Sequence, residues 1–162
     1  MSDSRPDLPV DIDAALSVFV YGTLLPGEIN HDRYLLGRTD DEVPATLQGA
    51  RMWANGDQFA LPGRSWPFPF VALDPDHSLT VTGCHISIPA TQAAQVLDDL
   101  DQLETYVPGS ATNRYERIQV GVNTSDGRKQ CWTYVAAERI RAELDSLPPI
   151  PHGDWLRYLK SR

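Results

Sequence analysis

The sequence predicts an α+β fold organised around a highly curved sheet or barrel, and three observations carry that prediction. About six stretches read as strands and only two or three as helices. Most connections between them are short. Regular strand–helix alternation, the mark of a doubly wound parallel sheet, is absent. The chain has 162 residues, the size of one ordinary domain with a core of its own. Residues 1–14 read as a flexible leader rich in Asp, Ser and Pro, which leaves 15–162 as the expected single domain.

The elements follow in order. Leu16–Tyr21, LSVFVY, is an apolar run that suits a buried strand. GTLLPGE then turns the chain, and Asn30 is placed to cap a short helix through Leu36 that ends at Gly37. Val43–Ala54 reads as one strand, and Asn55-Gly56-Asp57 as a hairpin turn. Gln58–Leu73 is irregular, because Pro67 and Pro69 lack the donors a central strand needs. Ser78–Ile88 is the next strand. Pro89 ends it, and Thr91 is positioned to cap a helix. Arg114–Val122 and Lys129–Ala137 read as two further strands joined by a turn at Ser125–Gly127. A helix is expected over Glu138–Leu147, stopped by Pro148, Pro149 and Pro151, with one or two helical turns closing the chain.

Composition narrows the function. The formal net charge is −8, and no Lys/Arg cluster interrupts it, which disfavours nucleic acid and anionic membrane as partners. Neither a secretory signal nor an apolar run of membrane-spanning length is legible, so a cytoplasmic location is expected. Cys84 and Cys131 are lone thiols without a CxxC pair and read as small buried strand residues. His31, His77, His85 and His152 show no metal-ligand spacing, and no nucleotide-binding glycine motif occurs. Neither a metal nor a cofactor is therefore expected. Oligomeric state is not legible.

The informative stretch is Thr91–Tyr106, TQAAQVLDDLDQLETY, which carries Asp98, Asp99, Asp101 and Glu104. On a helical wheel with Leu97 at zero and about 100° per residue, Ala93, Val96, Leu100 and Leu103 form one apolar arc. Asp98 and Asp99 fall across from it, and Asp101 at its border. Glu104 falls at about 340°, between Leu97 and Leu100. A carboxyl turned inward needs a partner or favours its protonated form, and the negative end of the helix dipole acts in the same direction. That is the environment of a general acid/base. The competing reading is a helix-end glutamate that frays into water or pairs with Arg114 or Arg117.

A second signal lies directly after the first strand. Tyr21-Gly22-Thr23-Leu24 makes a tight turn in which Gly22 lets the backbone approach a ligand and successive amides can hold an anion such as a carboxylate. Taken alone, the same residues also suit a purely structural turn.

Together the two signals resemble the gamma-glutamylcyclotransferase-like superfamily, and most of all its branch of gamma-glutamylamine cyclotransferases and plant avirulence-induced proteins. The Tyr21–Leu24 loop after the first strand matches. So do Val81-Thr82-Gly83, the helix end Leu100-Asp101-Gln102-Leu103-Glu104, the strand Tyr115-Glu116-Arg117-Ile118-Gln119-Val120, and Tyr134 in the strand after it. Order and approximate spacing agree over about residues 17–136. Two departures sit beside the site: Thr105 stands where the family usually has Gly, and the loop from Thr105 to Arg114 is longer than in the shortest members.

The resemblance implies a mixed, closed and highly curved β-barrel with a few flanking helices. It implies an enzyme that cyclises a γ-glutamyl group to 5-oxoproline, with Glu104 as acid/base and Tyr21, Gly22, Thr23 and Leu24 holding the glutamyl end. The expected partner is a small γ-glutamyl compound. Tyr115 and Tyr134 offer hydroxyl contacts to it, or else pack the core edge. Trp66, Phe68 and Phe70 either wall the pocket or fill the barrel end. The rival is a non-catalytic binding or regulatory module on the same fold. An idle buried Glu104 would only cost stability there.

Overall fold

A computed structural model of the protein describes residues 15–54 and 68–161. The leader, the Asn55-Gly56-Asp57 turn, Trp66 and Pro67 lie outside the described residues. Seven strands and four helices follow along the chain: β1 (Leu16–Val20), α1 (Ile29–Tyr34), β2 (Asp41–Gln48), β3 (Ala50–Ala54), β4 (Pro69–Leu73), β5 (Thr80–Ile88), α2 (Ala90–Leu103), β6 (Tyr115–Thr124), β7 (Gly127–Ala136), α3 (Glu138–Leu144) and α4 (Trp155–Lys160), with a 3₁₀ turn at Pro151–Gly153. Five strands close into a barrel in the order β1-β5-β2-β6-β7. Neighbours are antiparallel except β1 and β7, which meet in parallel at Val18 and Trp132 and close the ring. Strands β3 and β4 form a separate two-stranded sheet. The α+β class and the mixed barrel are as expected.

The differences from the sequence reading have local causes. The stretch expected as one strand over Val43–Ala54 is two, because Gly49 sits at φ +72° between them and redirects the chain out of the barrel. A side chain there would also meet the Asp74 carbonyl. The stretch expected as irregular ends in β4, whose first residue is Pro69. A proline is tolerated at the start of a strand in a two-stranded ribbon, where no ladder bond is lost. Asn30 is not a cap; it lies inside the first turn of α1, whose cap is Glu28. Thr91 is likewise inside α2, which starts at Ala90 behind Pro89. Helix α3 stops at Leu144 rather than Leu147. Helix α4 has a true side-chain cap, Asp154 accepting from the Arg157 amide at 3.1 Å.

Two packed clusters hold the layers together. One joins Leu16, Val18 and Val20 of β1 to Ile86 and Ile88, to the apolar face of α2 and to Ile140 and Leu144 of α3. The other joins Phe19 and Tyr21 to Leu47, Val81, Val120 and Val122 and to Trp155 of α4. Strand β1 feeds both, so it is buried almost throughout, which is why its sequence is apolar without alternation. Helix α2 buries Ala93, Val96, Leu97, Leu100 and Leu103, the arc the wheel singled out. Gly83 lies on β5 beside the end of its antiparallel neighbour β1: a Cβ there would overlap the Val20 carbonyl and the Phe19 ring.

Candidate active site

Directly after β1 the chain makes a four-residue turn, Leu25 N–H donating to the Gly22 carbonyl at 3.0 Å. The central amides of that turn, Thr23 and Leu24, donate to no backbone carbonyl among the described residues. Asn30, almost fully buried, fixes the turn from α1. Its backbone N–H reaches the Thr23 carbonyl at 3.0 Å and its side-chain Nδ2 the Thr23 Oγ1 at 2.9 Å. Gly22 is required by crowding rather than by dihedral: a Cβ at this position would lie 2.6 Å from Cδ and Cγ of Pro69. Asn30 was missed as a site residue because Asn before an apolar run reads most simply as a helix cap.

Facing this turn is the end of α2. Glu104 is the residue at its C-cap and is half-buried. Together with Tyr21, Gly22, Thr23, Leu24, Phe68, Pro69, Tyr115 and Tyr134 it lines a single cleft. Every residue singled out from the sequence as catalytic or substrate-binding thus borders the same cleft. Phe68 belongs to the wall, whereas Phe70 stacks behind it on Tyr115, ring centroids 4.8 Å apart.

The helix end that presents Glu104 is closed by two hydrogen bonds. Thr105 N–H donates to the Gln102 carbonyl at 3.1 Å, and Tyr106 N–H to the Asp101 carbonyl at 2.8 Å. This is the Schellman pattern, which places the residue after the cap in the left-handed region. That residue is Thr105, at φ +54°. Glycine is free to adopt this conformation; a β-branched residue is strained there. The departure noted in the sequence is therefore a backbone strain directly beside the carboxylate.

The tyrosine hydroxyls have defined partners. Tyr21 donates to the Tyr134 carbonyl at 2.5 Å and Tyr115 to the Pro69 carbonyl at 2.7 Å. Tyr134 donates to Asp101 Oδ1 at 2.6 Å. These protons are committed within the protein, so Tyr115 and Tyr134 do not present free donors to a ligand. Burial, followed by the negative charge of Glu104, pushes the Tyr21 hydroxyl well above its ordinary range. Tyr134 moves the same way, first through burial, then through Asp101 and Glu104.

Asp101, which the wheel left at the border, holds a buried charge beside the cleft. The Arg117 guanidinium lies 3.0 Å from its Oδ1, with the arginine side chain fully buried and the carboxylate 16% exposed. The arginine sits over the rings of Tyr106 and Trp132, at 5.2 and 4.8 Å. Arg117 and Tyr134 are register partners on β6 and β7, so both reach the same carboxylate from one face of the barrel. The available signal was the pairing of two adjacent strands, which periodicity on a single helix does not contain. Among the described residues no cluster of His, Cys, Asp and Glu is arranged to hold a metal ion.

With the geometry in hand, relatives can be placed against it. The family model for gamma-glutamyl cyclotransferase, AIG2-like, matches residues 18–157. The chain belongs to that family. It is accordingly an enzyme of the gamma-glutamyl cyclotransferase type, and its matched span runs from β1 to α4. A curated relative, the gamma-L-glutamyl-butirosin B gamma-glutamyl cyclotransferase of Niallia circulans, is 31% identical over 144 residues, covering 88% of this chain and 76% of the relative. Among solved structures, the AIG2-like protein of Mus musculus superposes with a TM-score of 0.62 at 21% identity, covering 87% of this chain and 94% of the mouse protein. YkqA of Bacillus subtilis gives 0.60 at 21% identity, where 92% of this cyclotransferase-family chain covers 44% of a longer protein. At these identities the two structures speak for the barrel alone. No helix among the described residues is long and apolar enough to cross a membrane.

Proposed function

We propose that the protein cyclises a γ-glutamyl amide to 5-oxoproline with release of an amine, Glu104 acting as general acid/base. One observation carries the reading: the half-buried Glu104 shares its cleft with a turn whose central amides donate to no backbone carbonyl among the described residues. The substrate supplies both reacting groups. Its α-nitrogen attacks its own γ-carbonyl, a C–N bond forms in a five-membered ring, and the C–N bond to the leaving amine breaks. In sum, two protons move from the α-ammonium to the departing nitrogen, and Glu104 ends in the state in which it began.

The fold serves this chemistry in two ways. It holds the substrate bent, and well-oriented intramolecular reactions gain about 7–11 kcal/mol from such placement. It also supplies a proton carrier where both nitrogens pass, typically worth about 10²–10⁴-fold. The Thr23 and Leu24 amides are set to hold the α-carboxylate or the oxyanion that develops on the γ-carbonyl. The relative named for gamma-L-glutamyl-butirosin B supports an amide whose leaving group is an amine larger than ammonia. Neither step requires a redox cofactor.

The experiment is to incubate the protein with γ-glutamyl alkylamines, a γ-glutamyl aminoglycoside, γ-glutamyl amino acids and glutathione and to measure 5-oxoproline. The expected result is release from the amine conjugates above the rate for glutathione. No release from any donor would leave a binding module in place of an enzyme of this substrate class.

A further inference from the structure

Behind the cleft wall, on the far side of Tyr134, lies a charged pair that the cyclisation scheme does not use. Asp101 lies one helical turn before Glu104; its Oδ1 accepts the Tyr134 hydroxyl at 2.6 Å and forms an ion pair with Arg117, whose Nε lies 3.0 Å away. The arginine side chain is fully buried and lies over two rings, so its charge is kept from water and balanced by this carboxylate. Tyr134 itself lines the cleft with Glu104. A phenol has one proton and two lone pairs. With that proton given to Asp101, the oxygen of Tyr134 has only acceptor capacity left for the cleft.

We propose that Asp101 is a positioning residue that, anchored by Arg117, turns Tyr134 into an obligate hydrogen-bond acceptor. Tyr134 and Glu104 thereby form a two-acceptor cradle selective for a primary α-ammonium group. This rests on the cyclisation reading and deepens it. An ammonium has three donors and no acceptor, so a site that offers only acceptors recognises it and rejects an amine-free analogue. The cradle also sets the reaction's geometry. Glu104 takes one proton from the α-nitrogen while Tyr134 accepts a second N–H, and the lone pair released is left to face the γ-carbonyl. Burial keeps Tyr134 protonated at neutral pH, in line with this arrangement. Arg117, which does not line the cleft, neutralises Asp101, so the added carboxylate does not compete for the ammonium.

The test compares L-glutamate with glutarate, which lacks the amine, by calorimetric titration. Both are bound without turnover. The wild type is expected to favour glutamate by about 10-fold or more, the value of a hydrogen bond to a charged donor. Tyr134→Phe keeps the ring and leaves the Asp101–Arg117 pair intact; it should cut that preference to below about 3-fold while glutarate affinity is unchanged. Asp101→Asn, checked for folding by thermal melting, should lower the preference in the same direction, since Tyr134 regains a mobile proton. A purely structural Asp101 would weaken both ligands alike. Retained preference in Tyr134→Phe, equal weakening of both ligands, or no preference in the wild type would overturn the cradle. These equilibrium results stand apart from 5-oxoproline release: a cradle that fails leaves the cyclisation intact, and absent turnover leaves the preference to be read on its own.

Discussion

The cleft and the seam where the C-terminal segment docks are built on opposite physical terms. At the seam, Ile150 N–H donates to the Met52 carbonyl at 2.7 Å, Gly153 packs on the Thr80 backbone, and Trp155 fills the second core cluster while stacking on Tyr158. Contacts there are additive and largely apolar. At the cleft, Tyr21, Tyr134, Asp101 and Arg117 are linked so that each residue's state depends on the next. A change at the seam is therefore expected to subtract stability and leave the reaction alone. A change at the cleft is expected to do the reverse.

The comparison is broken most forcefully at Trp155. Trp155→Ala removes a fully buried ring and should cost about 3–5 kcal/mol in urea unfolding, with activity per folded molecule preserved. A loss of turnover without a loss of stability would erase the distinction. Gly22→Ala is the converse. Its new methyl meets Pro69, displaces the turn, and is expected to lower kcat/KM by about 10–100-fold. Its effect on unfolding should be smaller than that of Trp155→Ala.

Titration sharpens the same contrast at lower amplitude. Burial pushes the Cys84 thiol up to about 11, with Glu42 and Asp41 adding to it, and the Cys131 thiol up to about 12, both from an ordinary 9.0. The unfolded chain loses these protons first, so the stabilisation is complete below about pH 9 and declines as pH rises through the folded values. Tyr21 and Tyr134 act in the same direction at higher pH. Neither thiol should react with a disulfide reagent at pH 8 in the native protein, and both should react in denaturant. A stability profile that is flat between pH 9 and 11 would contradict this. The smallest effect is expected at Thr105. Thr105→Gly relieves the left-handed strain, offset by glycine's greater freedom when unfolded, and should stabilise by about 0.5–1 kcal/mol, raising Tm by about 2–4 °C or less.

How much of this was legible in the sequence depends on how far apart the interacting residues are. The burial of Ala93, Val96, Leu97, Leu100 and Leu103 follows from one helix and its period, and the same period places Glu104, half-buried at the helix cap, on the cleft side. The strand types followed from apolar runs and turn residues. The exceptions were the break at Gly49, where a single positive φ splits a continuous apolar pattern, and β4, which pairs only with β3 and so admits Pro69. Asp101 was left at the edge because its partners arrive from β6 and β7. The committed hydroxyls of Tyr115 and Tyr134 were unreadable for the same reason: their acceptors are Pro69 and Asp101, which no local pattern brings near. Asn30 looked like a cap until α1 was seen to start before it.

The central claim is that Glu104 carries the protons of the cyclisation, and Glu104→Gln tests it with least disturbance, since size and hydrogen-bonding capacity are nearly kept. Measured as 5-oxoproline release from a γ-glutamyl alkylamine, the variant is expected to lose about 100-fold or more in kcat while its Tm stays within about 2 °C of wild type. Wild-type turnover by a folded Glu104→Gln would contradict the account and assign the proton transfer to another group.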